Sequence, residues 1–114
     1  MNQQHIETIY QAIKDIPAGR VASYGLVAKV AALPGRARLV GYVLRHTPDP
    51  VKLPWHRVLR ATGQIAFPSG SPAFEEQIQR LTAEGVLVRN GRVDLVRYGW
   101  DGSLDRLLWG PVDQ

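Results

Sequence analysis

In the run Leu53-Pro54-Trp55-His56-Arg57-Val58 an indole, an imidazole and a guanidinium follow one another directly behind a proline. An imidazole can carry a proton near neutral pH. An indole offers a flat apolar face and a single N–H donor, and it accepts no hydrogen bond. A buried edge strand with one core aromatic would account for the same residues. Upstream, Arg38, Tyr42 and Arg45 recur at i, i+4 and i+7 and share one side of any helix over that stretch. Such a row suits a helix facing nucleic acid, and it also suits a solvated helix side carrying one aromatic. The chain has no cysteine, which excludes disulfides, thiolate metal sites and thiol catalysis. His5, His46 and His56 have no ligand spacing, so neither a metal site nor a cofactor is expected.

The charge is segregated. Residues 20–60 carry eight Lys/Arg against Asp49 alone, a net +7, while the rest of the chain nets −3. A polyanion binding to one part of the fold fits that asymmetry, as does a merely solvated basic surface. At 114 residues the chain is long enough for one core and is expected to be a single domain over 1–114. No apolar run reaches the roughly 20 residues of a membrane span, and no charged-then-apolar leader opens the chain. The expectation is a cytoplasmic protein with no membrane partner.

Several elements position these residues. Ile6, Ile9, Tyr10, Ile13 and Ile16 predict an amphipathic helix over 4–15, stopped by Pro17-Ala18-Gly19. Ser23 is a good N-cap for a second helix with Leu26, Val27 and Val30 inside. After Leu33-Pro34-Gly35 a third helix runs to about Arg45, with Ala37, Val40, Gly41 and Leu44 expected on its inner face. The pair reads as a helix-turn-helix. Thr47-Pro48-Asp49-Pro50 predicts a turn, and Val51 to Leu59 a strand, followed by a turn into Ile65-Ala66-Phe67. Ser71 caps a fourth helix with Pro72 at its first position, packed through Phe74, Ile78 and Leu81 and ended by Gly85. Asn90-Gly91 marks a hairpin between Val86-Leu87-Val88 and Val93-Asp94-Leu95-Val96. Trp100, Leu104, Leu107, Leu108 and Trp109 predict a short docked helix, capped by Ser103, that covers the core.

Taken in order, Ile16-Pro17-Ala18-Gly19-Arg20-Val21, Ser23-Tyr24-Gly25, Arg38-Leu39-Val40-Gly41, Pro54-Trp55-His56-Arg57-Val58 and Glu84-Gly85 resemble the DNA-binding domain of O6-alkylguanine-DNA alkyltransferases. The resemblance covers about residues 3–97 and leaves 98–114 as a tail. In that family the strand carries Pro-Cys-His-Arg-Val, and the cysteine accepts the alkyl group. Trp55 stands at the cysteine position, as in the alkyltransferase-like proteins, and an indole cannot replace a thiolate as acceptor.

The resemblance implies an α/β (α+β) fold in which a winged-helix-like helix-turn-helix packs beside short antiparallel strands and enters the minor groove. It implies that Arg38 fills the space left by a flipped nucleotide, that Tyr24 presses on the target phosphate, and that Tyr42 and Arg45 hold the DNA backbone. Trp55, His56, Arg57 and Glu84 would form the lesion pocket, with His56–Glu84 a structural pair. The poorly matching loop Phe67-Pro68-Ser69-Gly70-Ser71 would face the base, through its backbone N–H groups and the hydroxyl of Ser69 or Ser71. Pro68 stands where some relatives have an arginine, and Thr47 replaces the asparagine that follows the recognition helix. The implied function is binding of O6-alkylguanine in duplex DNA by nucleotide flipping, without catalysis. The implied partners are that DNA and, by family analogy, nucleotide excision repair proteins, with a monomeric protein located in the cytoplasm or, when bound, at a bacterial nucleoid. Two other readings stay open: a hydrolase in which His56 and Glu84 drive water onto the lesion, and a transcriptional regulator using the helix-turn-helix in the major groove.

Overall fold

Ile9 and Ile13 are completely buried, and the first helix, α1 (Gln3–Lys14), forms because that spacing puts them on one stripe; Ile16, just beyond its end, is buried with them. The computed structural model describes residues 3–48 and 52–102. Beyond α1 the chain turns at Gly19, whose positive φ of 85° favours glycine. It then enters β1 (Ala22–Ser23) and α2 (Tyr24–Val30). Ser23 caps α2 as expected, its Oγ accepting the Leu26 N–H at 3.0 Å. A turn through Ala32 and Gly35 leads to α3 (Ala37–Arg45), which packs on α2.

The inner face of α3 differs from the expected one. Val40 and Val43 are its buried residues, while Ala37 and Gly41 are only half-buried. Two valines remove more apolar surface from water than an alanine and a glycine do, so the helix turns them inward. Gly41 is thereby left facing the side chains of Tyr24 and Arg45.

The strand expected from Val51 to Leu59 is mostly absent among the described residues. Trp55–Arg57 is a 3₁₀ turn, and only Val58–Leu59 is extended, as β2. Side chains tie down the backbone here. The Gln77 Nε2 amide donates to the carbonyls of His56 (3.0 Å) and Val58 (3.1 Å), and Arg57 Nη1 donates to the Ile16 carbonyl (2.8 Å). β2 pairs with β1 in parallel, Ala22 beside Val58 and Ser23 beside Leu59, which corrects the expectation of antiparallel strands throughout. Parallel pairing follows from the long crossover through α2 and α3 between the two strands. Asp49, Pro50 and Val51, part of the predicted turn and strand start, lie outside the described residues.

The fourth helix, α4 (Pro72–Ala83), has the expected cap: Ser71 Oγ accepts the Phe74 N–H at 3.2 Å. It buries Leu81 and Gln77 and ends before Gly85 at φ 83°. A hairpin follows, β3 (Val88–Arg89) and β4 (Arg92–Val93), antiparallel across Asn90 and Gly91, both at positive φ as a type I′ turn requires. It is shorter than the sequence suggests. Asp94 Oδ1 accepts the N–H groups of Val96 (3.0 Å) and Arg97 (3.4 Å), so the chain turns into α5 (Leu95–Tyr98) and leaves Val96 98% exposed. Trp100 returns to the core and donates its N–H to the Val21 carbonyl at 2.7 Å, so this part of the tail does cover core. The predicted tail helix with Ser103, Leu104, Leu107, Leu108 and Trp109 lies outside the described residues. The apolar residues form two clusters, one around α1–α3 with Trp100 and one joining Val21, Leu59, Leu81 and the hairpin. β1 and β2 run between them.

Candidate nucleic-acid interface and base pocket

Helices α2 and α3 place three of the residues singled out from sequence around one opening. Tyr24 is the first residue of α2 and is half-buried. Burial raises its phenol pKa, and the charges of Arg60 and Arg45 pull the other way without reversing the rise, so the hydroxyl keeps its proton at neutral pH. Arg45 extends from α3 toward Gly41, where a built Cβ would lie 3.4 Å from Arg45 Nη1 and 3.9 Å from Tyr24 Cε1. The glycine keeps that rim open. Arg38 is exposed one turn earlier on α3. Tyr42 is 43% exposed but engaged locally, its ring stacked on His46 at 4.1 Å and 26°.

Below this rim lies a cavity of about 420 Å³ whose walls include Tyr24, Arg45, Trp55, Val58, Phe67 and Gln77. Its volume falls within the range of small-molecule sites. Larger surface clefts exist: one of about 850 Å³ against the hairpin and α5 contains neither Tyr24 nor Trp55, and one of about 640 Å³ shares Trp55 and Phe67 with this cavity but does not reach Tyr24. The Trp55 indole meets the Phe67 ring edge-on, 5.8 Å and 88° apart, and the Arg80 guanidinium sits 5.6 Å from the indole centroid. These contacts hold the indole as a wall.

Behind Trp55, the lower strand-and-turn residues form a different arrangement. His56 Nε2 lies 2.8 Å from Glu84 Oε2. Arg57 grips the same carboxylate through Nη2 (2.6 Å) and Nε (3.0 Å to Oε1), and the Gly19 N–H reaches Oε1 at 3.1 Å. Burial alone would raise the Glu84 carboxyl; hydrogen bonds from Arg57, His56 and Gly19 outweigh it and hold the group at about 2. Burial lowers the His56 pKa, and the nearby Arg57 and Arg80 charges add to that against the pull of Glu84. His56 is therefore neutral at pH 7, with its proton on Nε2 toward the carboxylate. Its Nδ1 is buried and has no hydrogen-bond partner within the protein. His56, Arg57 and Glu84 thus come together as expected, but as a knot tying α1, the 3₁₀ turn and the end of α4, and none of them lines the 420 Å³ cavity.

Two serines expected at the base are elsewhere. Ser71 Oγ is engaged at the N-cap of α4, and Ser69 borders a separate cleft with Phe74 and Gly91. The loop residues that do line the cavity are Ala66, Phe67 and Pro68. A helix cap needs the serine side chain at its own backbone, which turns Ser71 away from the loop's inner side. The resemblance implied that the Phe67–Ser71 loop faces the base without singling out Phe67, and Gln77 was not recognisable as a site residue from sequence. An aromatic next to proline in a Gly/Ser-rich loop was the one available sign for Phe67, and Gln77 on a helix face had none.

The model of the "6-O-methylguanine DNA methyltransferase, DNA binding domain" matches residues 4–86. The chain is 44% identical over 96 residues to a DNA base-flipping protein of Escherichia coli K12, covering 83% of this chain and 73% of that protein. It is 33% identical over 97 residues to alkyltransferase-like protein 1 of Schizosaccharomyces pombe, covering 81% and 90%. Its fold superposes with a TM-score of 0.80 on S. pombe Atl1 in complex with damaged DNA containing O6-carboxymethylguanine, at 30% identity over 89% of this chain and 98% of that one. It also superposes with a TM-score of 0.61 on Mycobacterium tuberculosis OGT in complex with DNA, spanning 74% of this chain but 51% of that one. With residues 4–86 matched by the family model and relatives of 33–44% identity covering most of its length, this chain belongs to the 6-O-methylguanine DNA methyltransferase DNA-binding family, alongside its base-flipping and alkyltransferase-like members.

Proposed function

We propose that this protein binds O6-alkylguanine in duplex DNA, rotates the nucleotide out of the helix and holds the base in the Trp55-walled cavity without removing the alkyl group. The observation that carries this reading is Trp55 itself: a donor-only indole forms the wall at the position of the acceptor thiol, in a chain without any cysteine. Arg38, Tyr42 and Arg45 on α3 face outward and supply charge and stacking for the duplex, with Arg38 taking the place of the extruded base. Tyr24, protonated and at the rim, bears on the target phosphate. Extrusion costs about a few kcal/mol, which the pocket and the inserted guanidinium must offset.

A hydrolase needs a water at an imidazole nitrogen. Here Nε2 serves Glu84 and Nδ1 is sealed from solvent, which supports binding over hydrolysis. The bound complex then acts as a flag for nucleotide excision repair and shields the lesion from alkyltransferases. A monomer suffices for such a single-lesion reader.

The test is a paired titration of otherwise identical duplexes with guanine or O6-methylguanine at several salt concentrations. Phosphate contacts depend steeply on salt and are nearly the same for both duplexes. Loss of the indole removes about 1–3 kcal/mol of base–aromatic contact. Trp55→Ala should therefore weaken binding of the alkylated duplex several-fold or more and leave undamaged-duplex affinity and its salt slope almost intact. Equal losses on both would make Trp55 a support of the fold and end the pocket assignment. Isotope label moving from the methyl group to protein or to free methanol would end the non-catalytic reading.

A further inference from the structure

The cleft of about 850 Å³ against the hairpin and α5 shares no wall residue with the Trp55 cavity. Its apolar floor belongs to the second cluster, with β1 and β2 between it and the helix-turn-helix. Leu87, 54% exposed, and Val96, 98% exposed, both line it. Around them stand Arg89, Arg92 and Arg97, all exposed, and among the described residues none of the three forms an ion pair. Asp94 is the acid of the cleft, and its Oδ1 is already occupied in capping α5. Arg89 and Arg92 stand directly opposite one another across the hairpin. Like charges in that position oppose folding, so the fold itself does not call for the pair.

Exposed apolar side chains rimmed by polar ones mark a surface that takes up another molecule. A phosphate backbone would meet the arginines and leave Leu87 and Val96 in water. A protein segment that carries carboxylates beside an apolar side chain satisfies both. Resting on the reading that the lesion complex flags excision repair, we infer that the hairpin–α5 face is the docking surface for the recruited repair protein, which presents an acidic segment with at least one apolar side chain. Each arginine offers a carboxylate two parallel N–H donors, and the apolar side chain covers Leu87 and Val96. A duplex held on α2 and α3 leaves this face open, so lesion and partner are bound at the same time.

The experiment compares the full chain with its double variant Arg92→Glu/Val96→Asp. Both side chains are exposed, and the exchange at Arg92 relieves the like-charge pair with Arg89, so the fold should hold. Affinity for an O6-methylguanine duplex, and its salt slope, should match wild type. The preformed protein–duplex complex is then titrated into a nucleotide excision repair extract and incision beside the lesion is measured. The double variant should need on the order of tenfold more complex than wild type for the same incision, the scale of losing a central interface contact. Equal incision by the two proteins overturns the docking surface and leaves the flagging reading intact. No stimulation of incision by wild type overturns that reading and the surface with it. Because the chain has no cysteine, Val96→Cys adds a single reporter thiol, which should react with a maleimide as fast as a free thiol both in the protein alone and on the duplex. Slow reaction in the protein alone would mean that the chain covers its own face, and protection by the duplex alone would mean that the arginines serve DNA; either result overturns the inference. If the double variant does not fold, Val96→Asp alone repeats the comparison with the same outcomes.

Discussion

Around Glu84 the polar groups are turned inward on one another, while along α2 and α3 they are turned outward. The Glu84 carboxylate accepts from Arg57, His56 and the Gly19 backbone, with side-chain exposures of 17% for Glu84 and 16% for Arg57. Arg38 and Arg45 are exposed, and among the described residues neither forms an ion pair. The first cluster is shielded from water and salt, so its charges bear on folding. The second is solvated and screened, so its charges add little to stability and remain available to phosphate. The lesson concerns surroundings rather than residue type: the His–Arg–Glu set is saturated by its own neighbours, while the arginines of α3 are left open to solvent.

The comparison breaks most visibly at Glu84. Glu84→Gln leaves the half-buried Arg57 without a counter-charge and should destabilise the fold by about 3 kcal/mol or more, read by urea unfolding at pH 7. Acid should expose the same cluster in wild type. The folded-state pKa of Glu84, about 2, lies below its ordinary 4.5, so its stabilisation is complete above the ordinary value and is lost as pH falls through 4.5 toward 2. That shift corresponds to about 3 kcal/mol. The depressed His56 pKa acts in the same direction, withdrawing stability as pH drops below 6.5, because the unfolded chain takes up that proton more readily. Unfolding free energies from pH 7 to 3 should fall steeply in wild type and much less in Glu84→Gln. Parallel curves would mean that Glu84 is not the linked group.

A smaller effect, on binding alone, is expected from the outward cluster. Tyr24→Ala and Arg38→Ala should each weaken lesion binding by about 1–3 kcal/mol. Arg38→Ala should leave the unfolding midpoint unchanged and should also reduce nucleotide extrusion, measured with a fluorescent base opposite the lesion. If Arg38→Ala bound and extruded like wild type, the arginine would be only a phosphate contact.

The smallest effect sharpens the boundary between the two regions. Ser71→Ala removes the α4 cap and should cost about 1 kcal/mol of stability with the affinity ratio of damaged to undamaged duplex unchanged. Ser69→Ala should change neither. A drop in that ratio for either variant would return the serines to the base pocket.

Residues close in sequence carried most of what could be read without coordinates. The Ser23 and Ser71 caps, the Asn90-Gly91 turn and the two helices of the helix-turn-helix depend on contacts within a few residues, and those contacts are present in the structure. Periodicity failed where tertiary contacts competed with it. Val58–Leu59 pairs in parallel with β1 because the α2–α3 crossover returns the chain there, and Trp55–Arg57 coils because Gln77, twenty residues ahead, holds its carbonyls. Asp94 ended a strand that its apolar neighbours had appeared to continue.

The ordered motifs by themselves determined the family, the absence of a thiol acceptor and the outward Arg38–Tyr42–Arg45 row, since each is a matter of residue identity or helical phase. Only the tertiary structure decided which polar groups meet the cavity. It sent His56, Arg57 and Glu84 behind Trp55, turned Phe67 rather than Ser69 or Ser71 of the base-facing loop into the wall, and brought in Gln77. Burial and hydrogen-bond saturation are properties of three-dimensional neighbours, and a linear chain does not specify which of two chemically competent side chains will have its acceptor left unpaired.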